Sequence, residues 1–266
     1  MIDHKFEQLK EKISGMESVV VAYSGGIDST FLLKVAYDCL GDKAIGVTAV
    51  SASVPQKEIE EAKSIAQEIG VRHVLLKSHE TEDPRYLENT DHRCYFCKAD
   101  AYDEIFQFAG KEKIRYVLDG ANADDTDDYR PGRKAAREQG VRSPLLEMGI
   151  TKKEIRQLAK QLGLPNWNKP AAACLSSRIP YGSPITNEKL HRIEKAEDYL
   201  KELGLRQVRV RHHEQIARIE VEPTNFRLLI SHREIIIDKF REIGFLYITL
   251  DLSGFRSGSM NEVLKK

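Results

Sequence analysis

Two hydrophobic periods alternate along the first half of the chain. Residues 18–23 (SVVVAY) form a β-branched run with no polar residue after Ser18, the pattern of a parallel strand buried on both faces. A polar turn, SGGIDS, follows. From 30 to 40 the apolar residues Leu32, Leu33, Val35, Ala36 and Leu40 fall at helical spacing, and Gly41 supplies a stop. The cycle then repeats: a strand over 43–50, a helix over 56–70 with Ile59, Ala62, Ile65, Ala66 and Ile69 on one stripe, and a strand over 73–76. A helix over 98–110, a strand over 114–118 and a helix over 152–162 extend the alternation. It predicts an α/β fold with a doubly wound, mostly parallel sheet.

The pattern breaks over 164–186 (LPNWNKPAAACLSSRIPYGSPIT), where four prolines and several small residues leave neither period intact. So long an irregular stretch reads as a linker or a functional loop. Beyond it, a helix over 187–203, strands over 207–211 and 216–221, more helix to 243 and a strand over 245–250 predict a second, smaller α/β domain. The expected division is 1–165, a loop at 166–186, and 187–266.

Composition narrows the choice of function. Lys and Arg number 41 and Asp and Glu 41, so no global positive field exists to hold a polyanion, which disfavours a nucleic-acid binder. The opening residues are charged and helical in pattern rather than signal-like, and no run of about 18 apolar residues occurs. A soluble, cytoplasmic protein without membrane contact is expected. The cysteines, Cys39, Cys94, Cys97 and Cys174, are too few for a disulfide framework and direct attention to metal or sulfur chemistry.

The turn Ser24-Gly25-Gly26-Ile27-Asp28-Ser29 lies between strand and helix, where backbone N–H groups and the helix dipole favour an anion. Gly25 and Gly26 let a phosphate approach, and Ser24 and Ser29 offer hydroxyls. Asp28 would repel it unless a divalent cation intervened, which implies magnesium. The same residues also suit an ordinary capped turn. Asp119, Asn122, Asp124, Asp125, Asp127 and Asp128 crowd a predicted strand end, where open sheets place ligands; they suit magnesium, nucleotide contacts or a solvated loop. Arg209 and Arg211 alternate on one strand and share a face suited to a phosphate or carboxylate, or to solvent. Cys94 and Cys97 form a C-x-x-C pair near His92 that fits zinc, a redox disulfide or no function. Cys39 and Trp167 read as packing residues. Glu197 is placed to assist proton transfer or to order a pocket, with Glu194 and Glu202 on the same predicted helix.

SGGIDS after a hydrophobic strand resembles the signature of the PP-loop ATP pyrophosphatases. Further segments, SASVP at 51–55, GANADDTDDYRPGRKAA at 120–136, SPLLE at 143–147, PAAACLSSRIPYGSPIT at 170–186 and GFRSGSMNE at 254–262, resemble the LarE family, the sulfur transferases of nickel-pincer cofactor synthesis, over nearly the whole chain. The resemblance implies that ATP adenylates a carboxylate of pyridinium-3,5-biscarboxylic acid mononucleotide and that sulfur then replaces oxygen. ATP, pyrophosphate and magnesium would be held by Ser24, Gly25, Gly26, Asp28, Ser29, Ser51, Gly120, Asn122 and Asp125. Lys98, Ser177, Arg178, Arg209, Arg211 and Arg256 would bind the substrate's anionic groups, and Cys174, Asp28 and Glu197 would be catalytic.

Family members with one cysteine in the block matching Cys174 give up its sulfur and leave dehydroalanine. The additional Cys94 and Cys97 make this chain similar to the three-cysteine branch, in which three thiolates hold a 4Fe-4S cluster whose fourth iron carries the sulfide to be transferred. The resemblance further implies a homo-oligomer, up to a hexamer, supplied by sulfide or a sulfur donor and working beside other enzymes of that cofactor's synthesis. A PP-loop tRNA thiolase, an ammonia-using amide synthetase and a non-enzymatic nucleotide sensor are the competing readings.

Overall fold

The runs without polar interruption become strands of one parallel sheet. The structure, a computed structural model, describes residues 2–127, 131–170, 173–256 and 258–260. In chain order its first elements are α1 (Ile2–Ser14), β1 (Val19–Ala22), α2 (Ile27–Leu40), β2 (Ala44–Val50), α3 (Gln56–Ile69) and β3 (Arg72–Lys77). There follow α4 (Pro84–Leu87), α5 (Arg93–Lys111), β4 (Tyr116–Leu118), α6 (Pro131–Glu138), α7 (Pro144–Glu147) and α8 (Lys152–Gln161). The last are α9 (Asn187–Glu202), β5 (Val208–His213), β6 (Ile216–Val221), α10 (Phe226–Ser231), α11 (Arg233–Ile243) and β7 (Tyr247–Leu250). The chain forms two units, one of 1–80 with 94–172 and the other of 81–93 with 173–266.

In the first unit the strand order is β3-β2-β1-β4, all parallel. Val19 and Val21 face a core with Leu9, Phe31, Leu32 and Leu158, while Val20 faces another with Ile45, Val117 and Ile105. Both faces are covered, which is why β1 has no polar alternation. Each such side chain contributes about 1.5–3 kcal/mol on burial. Successive strands run outward from β1 through β2 to β3, and β4 joins on β1's other side. The order therefore reverses between β1 and β4, and the crevice beyond their carboxyl ends is where a sheet of this kind takes a ligand. The α/β class expected from the sequence is the one observed.

Two boundaries differ from the sequence reading. α5 begins at Arg93 rather than near Lys98, so Cys94 and Cys97 are the second and fifth residues of a helix, three residues apart on one side. α2 begins at Ile27, so Asp28 and Ser29 belong to its first turn.

In the second unit β5 and β6 form an antiparallel hairpin, and β7 pairs parallel to β6. Leu200, Val208, Val210, Ile219, Phe240 and Phe245 make its core. The segment 81–93 joins this unit through Asn89. Its buried amide donates to the carbonyls of Ile179, Pro180 and Ser183 and accepts from Arg93, whose guanidinium also donates to Ser176 O at 3.0 Å. Among the described residues no helix is long and apolar enough to cross a membrane.

Candidate active site

The phosphate loop joins β1 to α2. Gly25 has φ +71°, and a Cβ on it would lie 2.9 Å from Ala62 Cβ, so backbone conformation and space both demand glycine. Gly26 occupies the N-cap position with no side-chain cap, leaving the first-turn amides of α2 to a ligand. Ser29 Oγ donates to Gly26 O at 3.1 Å and accepts from Ser24 N at 3.2 Å, and Ser24 Oγ lies 3.1 Å from it. These hydroxyls hold the loop's shape. Gly120, just beyond β4, closes the other side: a Cβ there would stand 2.8 Å from Ser29 N. The sheet order thus brings 24–29 and 120–125 together, as the spacing of neither motif reveals alone.

Asp28 carries the electrostatics of this crevice. Burial raises its pKa; Lys152, whose ammonium pairs with Oδ2, offsets part of the rise, and Asp125's charge adds to it. Oδ1 is buried and has no hydrogen-bond partner among the described residues. Magnesium is commonly held by one or two carboxylates together with phosphate oxygens, and an orphaned oxygen on Asp28 beside Asp125 suits that role. Asn122 organises the adjoining turn: its N–H donates to Asp125 Oδ2, and its Oδ1 accepts from Asp124 N, both at 3.0 Å. Asp124 Oδ2 accepts from Lys152 N at 2.8 Å, and Asp119 from Ser143 Oγ at 2.6 Å. Asp128 and the side chain of Asp127 lie outside the described residues.

Ser51, expected to bind nucleotide, donates its hydroxyl to Glu80. That carboxylate, 2 % exposed, also accepts from Ser53 Oγ at 2.9 Å and from Ser78 Oγ. Glu80 and Lys152 belong to no sequence motif. A lone acid after a strand, or a lysine opening a helix, carries no signal until the fold supplies its partner.

Cys94 is exposed and Cys97 half-buried in the first unit, and Lys98 Nζ stands 5.5 Å from the centre of the Tyr102 ring. Cys174, a half-buried free thiol, belongs to the second unit. Its carbonyl accepts from Ser177 Oγ and Arg178 Nη1, each at 2.8 Å. Among the described residues no group of three or more His, Cys, Asp or Glu is gathered as a metal site. Cys39 and Trp167 pack against the first core, as expected.

Four arginines of the second unit, Arg178, Arg209, Arg211 and Arg218, interact with Glu197 and Glu220. Arg178 and Glu197 make a two-pronged pair at 2.8 and 2.9 Å, each side chain 2 % exposed. Burial opposes the charge on Glu197, but Arg178, Arg209 and the Val210 amide hold its pKa below the ordinary value. Glu197 thus fixes the orientation of the Arg178 guanidinium. Arg211 donates to Ser177 O at 3.0 Å and pairs with Glu220 at 2.6 Å, which Arg218 also engages. Arg209 makes no ion pair among the described residues. Burial and the charge of Arg178 bring its pKa down to about 10, and its guanidinium lies 5.4 Å from the Phe255 ring centre. An anion beside Arg209 would relieve that excess of positive charge. Arg256 is exposed in the segment after β7.

An uncapped helix at the switch point of a parallel sheet, fronted by a glycine loop and an acid suited to a cation, defines a nucleotide-binding, ATP-using enzyme of the PP-loop class. A sequence profile described as NAD synthase matches residues 2–91. The chain is 47 % identical to an uncharacterised protein of Synechocystis sp. over 268 residues, spanning 100 % of both chains. It is 40 % identical to pyridinium-3,5-bisthiocarboxylic acid mononucleotide synthase of Lactiplantibacillus plantarum over 255 residues, 96 % of this chain and 92 % of the relative. A more distant relative is a component of the glutamine-hydrolysing GMP synthase of Saccharolobus solfataricus, 27 % identical over 73 % of this chain and 57 % of the relative. The chain belongs to the family of the bisthiocarboxylic acid mononucleotide synthase, the LarE family.

Proposed function

We propose that this enzyme adenylates a carboxylate of pyridinium-3,5-biscarboxylic acid mononucleotide and converts it to a thiocarboxylate. The observation that carries the reading is the phosphate loop at the β1/β4 crevice, in a chain 40 % identical to a synthase named for the bisthiocarboxylic product. ATP's triphosphate lies on 24–29, and Asp28 with Asp125 holds magnesium. The substrate carboxylate oxygen attacks the α-phosphorus, the bond to the β-phosphate oxygen breaks, and pyrophosphate leaves. A sulfur nucleophile then adds to the acyl carbon and AMP departs. Arg209, with Arg178 and Arg211 ordered by Glu197 and Glu220, binds the substrate's anionic groups, with Ser177, Lys98 and Arg256 contributing.

Cys94, Cys97 and Cys174 are the proposed ligands of a 4Fe-4S cluster. Thiolates are the donors such a cluster takes, and three of them leave one iron able to carry the sulfide. The enzyme works in the cytoplasm as a homo-oligomer, and the exposed Ile230, Ile235, Leu246, Tyr247 and Leu252 of the second unit support association.

The test supplies ATP, magnesium and the biscarboxylate to anaerobically purified protein. AMP and pyrophosphate are expected in proportion to substrate, with about four irons per chain lost on replacing the three cysteines. Iron-free protein that loses the mass of one hydrogen sulfide molecule from Cys174 per turnover would assign sulfur delivery to that cysteine alone. AMP formation driven by ammonia, or retention of tRNA, would overturn the reading.

A further inference from the structure

An anion loop binds through its N–H groups, so its carbonyl oxygens must be drawn away from the ligand. In a planar trans peptide C=O and N–H point opposite ways, so whatever captures a carbonyl behind the loop fixes the next N–H in front of it. Both glycine carbonyls of the phosphate loop are captured. Gly25 O accepts from Asn166 Nδ2 at 3.1 Å. Gly26 O accepts from Thr30 N and Thr30 Oγ1, each at 2.9 Å, and from Ser29 Oγ at 3.1 Å. Having given its proton to Gly26 O, the Thr30 hydroxyl accepts from Asn166 Nδ2 at 2.9 Å.

One primary amide therefore uses its two N–H bonds on the two peptides, directly on Gly25 and through Thr30 on Gly26. The orientation of that amide is fixed, because Gly25 O can only accept and must face nitrogen. Asn166 is 4 % exposed and Thr30 fully buried. Gly25 lies close to Ala62 on α3, where an added Cβ would stand 2.9 Å from the Ala62 Cβ.

We propose that Asn166 is a positioning residue for pyrophosphate. By holding Gly25 O directly and Gly26 O through Thr30, it aims the N–H groups of Gly26 and Ile27 at the β- and γ-phosphates. Among the described residues the Gly26 N–H otherwise makes only a long contact, 3.4 Å, to Ser24 Oγ. The proposal rests on the reading of 24–29 as the ATP site, and it separates two parts of the nucleotide: pyrophosphate depends on Asn166 and AMP does not.

The experiment measures binding of α,β-methylene-ATP, pyrophosphate and AMP to the full chain with magnesium, in wild type and Asn166→Ala. Affinity for the ATP analogue and pyrophosphate should fall about tenfold, as expected for losing hydrogen bonds of this kind. Affinity for AMP should be unchanged. In turnover, the KM for ATP should rise by more than kcat falls. Thr30→Val, which keeps the shape and removes the relay hydroxyl, should repeat the pattern and Thr30→Ser should restore binding; this pair decides the matter if Asn166→Ala does not fold. Equal weakening of AMP and pyrophosphate, or no change in either, overturns the proposal while leaving the ATP reading intact. A wild-type chain that binds neither the analogue nor pyrophosphate removes both.

Discussion

Single residues here act through partners that local sequence does not reveal. Glu197 is legible in the sequence as an acid on a helix, but its pairing with Arg178 depends on the second unit's fold. Truncating one member of a buried pair leaves the other charge uncompensated, at a cost of about 3–5 kcal/mol. Glu197→Gln should therefore lower the stability of the second unit at neutral pH. Because the folded-state pKa of Glu197 is depressed, its stabilisation is complete above the ordinary glutamate range and is lost as pH falls through the folded value. Thermal melts of the wild type should fall on acidification, whereas the variant should start lower and lose less; parallel curves would contradict this. Asp28 behaves differently, since there burial outweighs the pairing with Lys152 and the pKa is raised. Asp28→Asn should reduce pyrophosphate release by about a hundredfold or more, as loss of a metal's electrostatic help would, with the fold intact by circular dichroism.

At the scale of elements, strands and helices of the first unit are readable because both sheet faces are buried and the helices are amphipathic. The helix start at Arg93 is not, because Cys94, Tyr95 and Phe96 give no N-terminal signal. Motif alone marks the Ser51 loop as nucleotide-binding, while its support is three serine hydroxyls converging on buried Glu80. Glu80→Ala would remove the acceptor these hydroxyls share, leaving Ser51 and Ser53 only each other while Ser78 keeps Asp100 Oδ2, at about 1–3 kcal/mol for a group stranded out of water. Urea denaturation should show a lower midpoint, and ATP binding should weaken with it. Glu80→Gln, which keeps one acceptor oxygen, should lie between. Unaltered ATP affinity in a destabilised Glu80→Ala chain would separate the loop from the nucleotide site.

For the whole molecule, a net charge near zero conceals strong local segregation, since Arg178, Arg209, Arg211 and Arg218 cluster in the second unit among fewer acids. Chain order conceals topology in the same way. Nothing in the periodicity of 81–93 connects it to residues nearly a hundred positions later; Asn89 makes the tie together with Tyr86 and Arg93, which both meet Ser176. Asn89 is fully buried with φ +56°, a conformation asparagine tolerates better than most residues, and its amide meets carbonyls at 179, 180 and 183. Asn89→Ala removes these bonds and strains the backbone without touching the cores around β1. Because the two units have separate cores, the damage should remain in one of them. Hydrogen exchange should show amides of 175–185 and of β5 and β6 losing protection by one to two orders of magnitude, about what 1–3 kcal/mol of lost local stability produces. Amides of β1, β2 and β4 should keep theirs. Uniform loss of protection would mean that the units unfold as one, and that the segregation of their cores has no energetic counterpart.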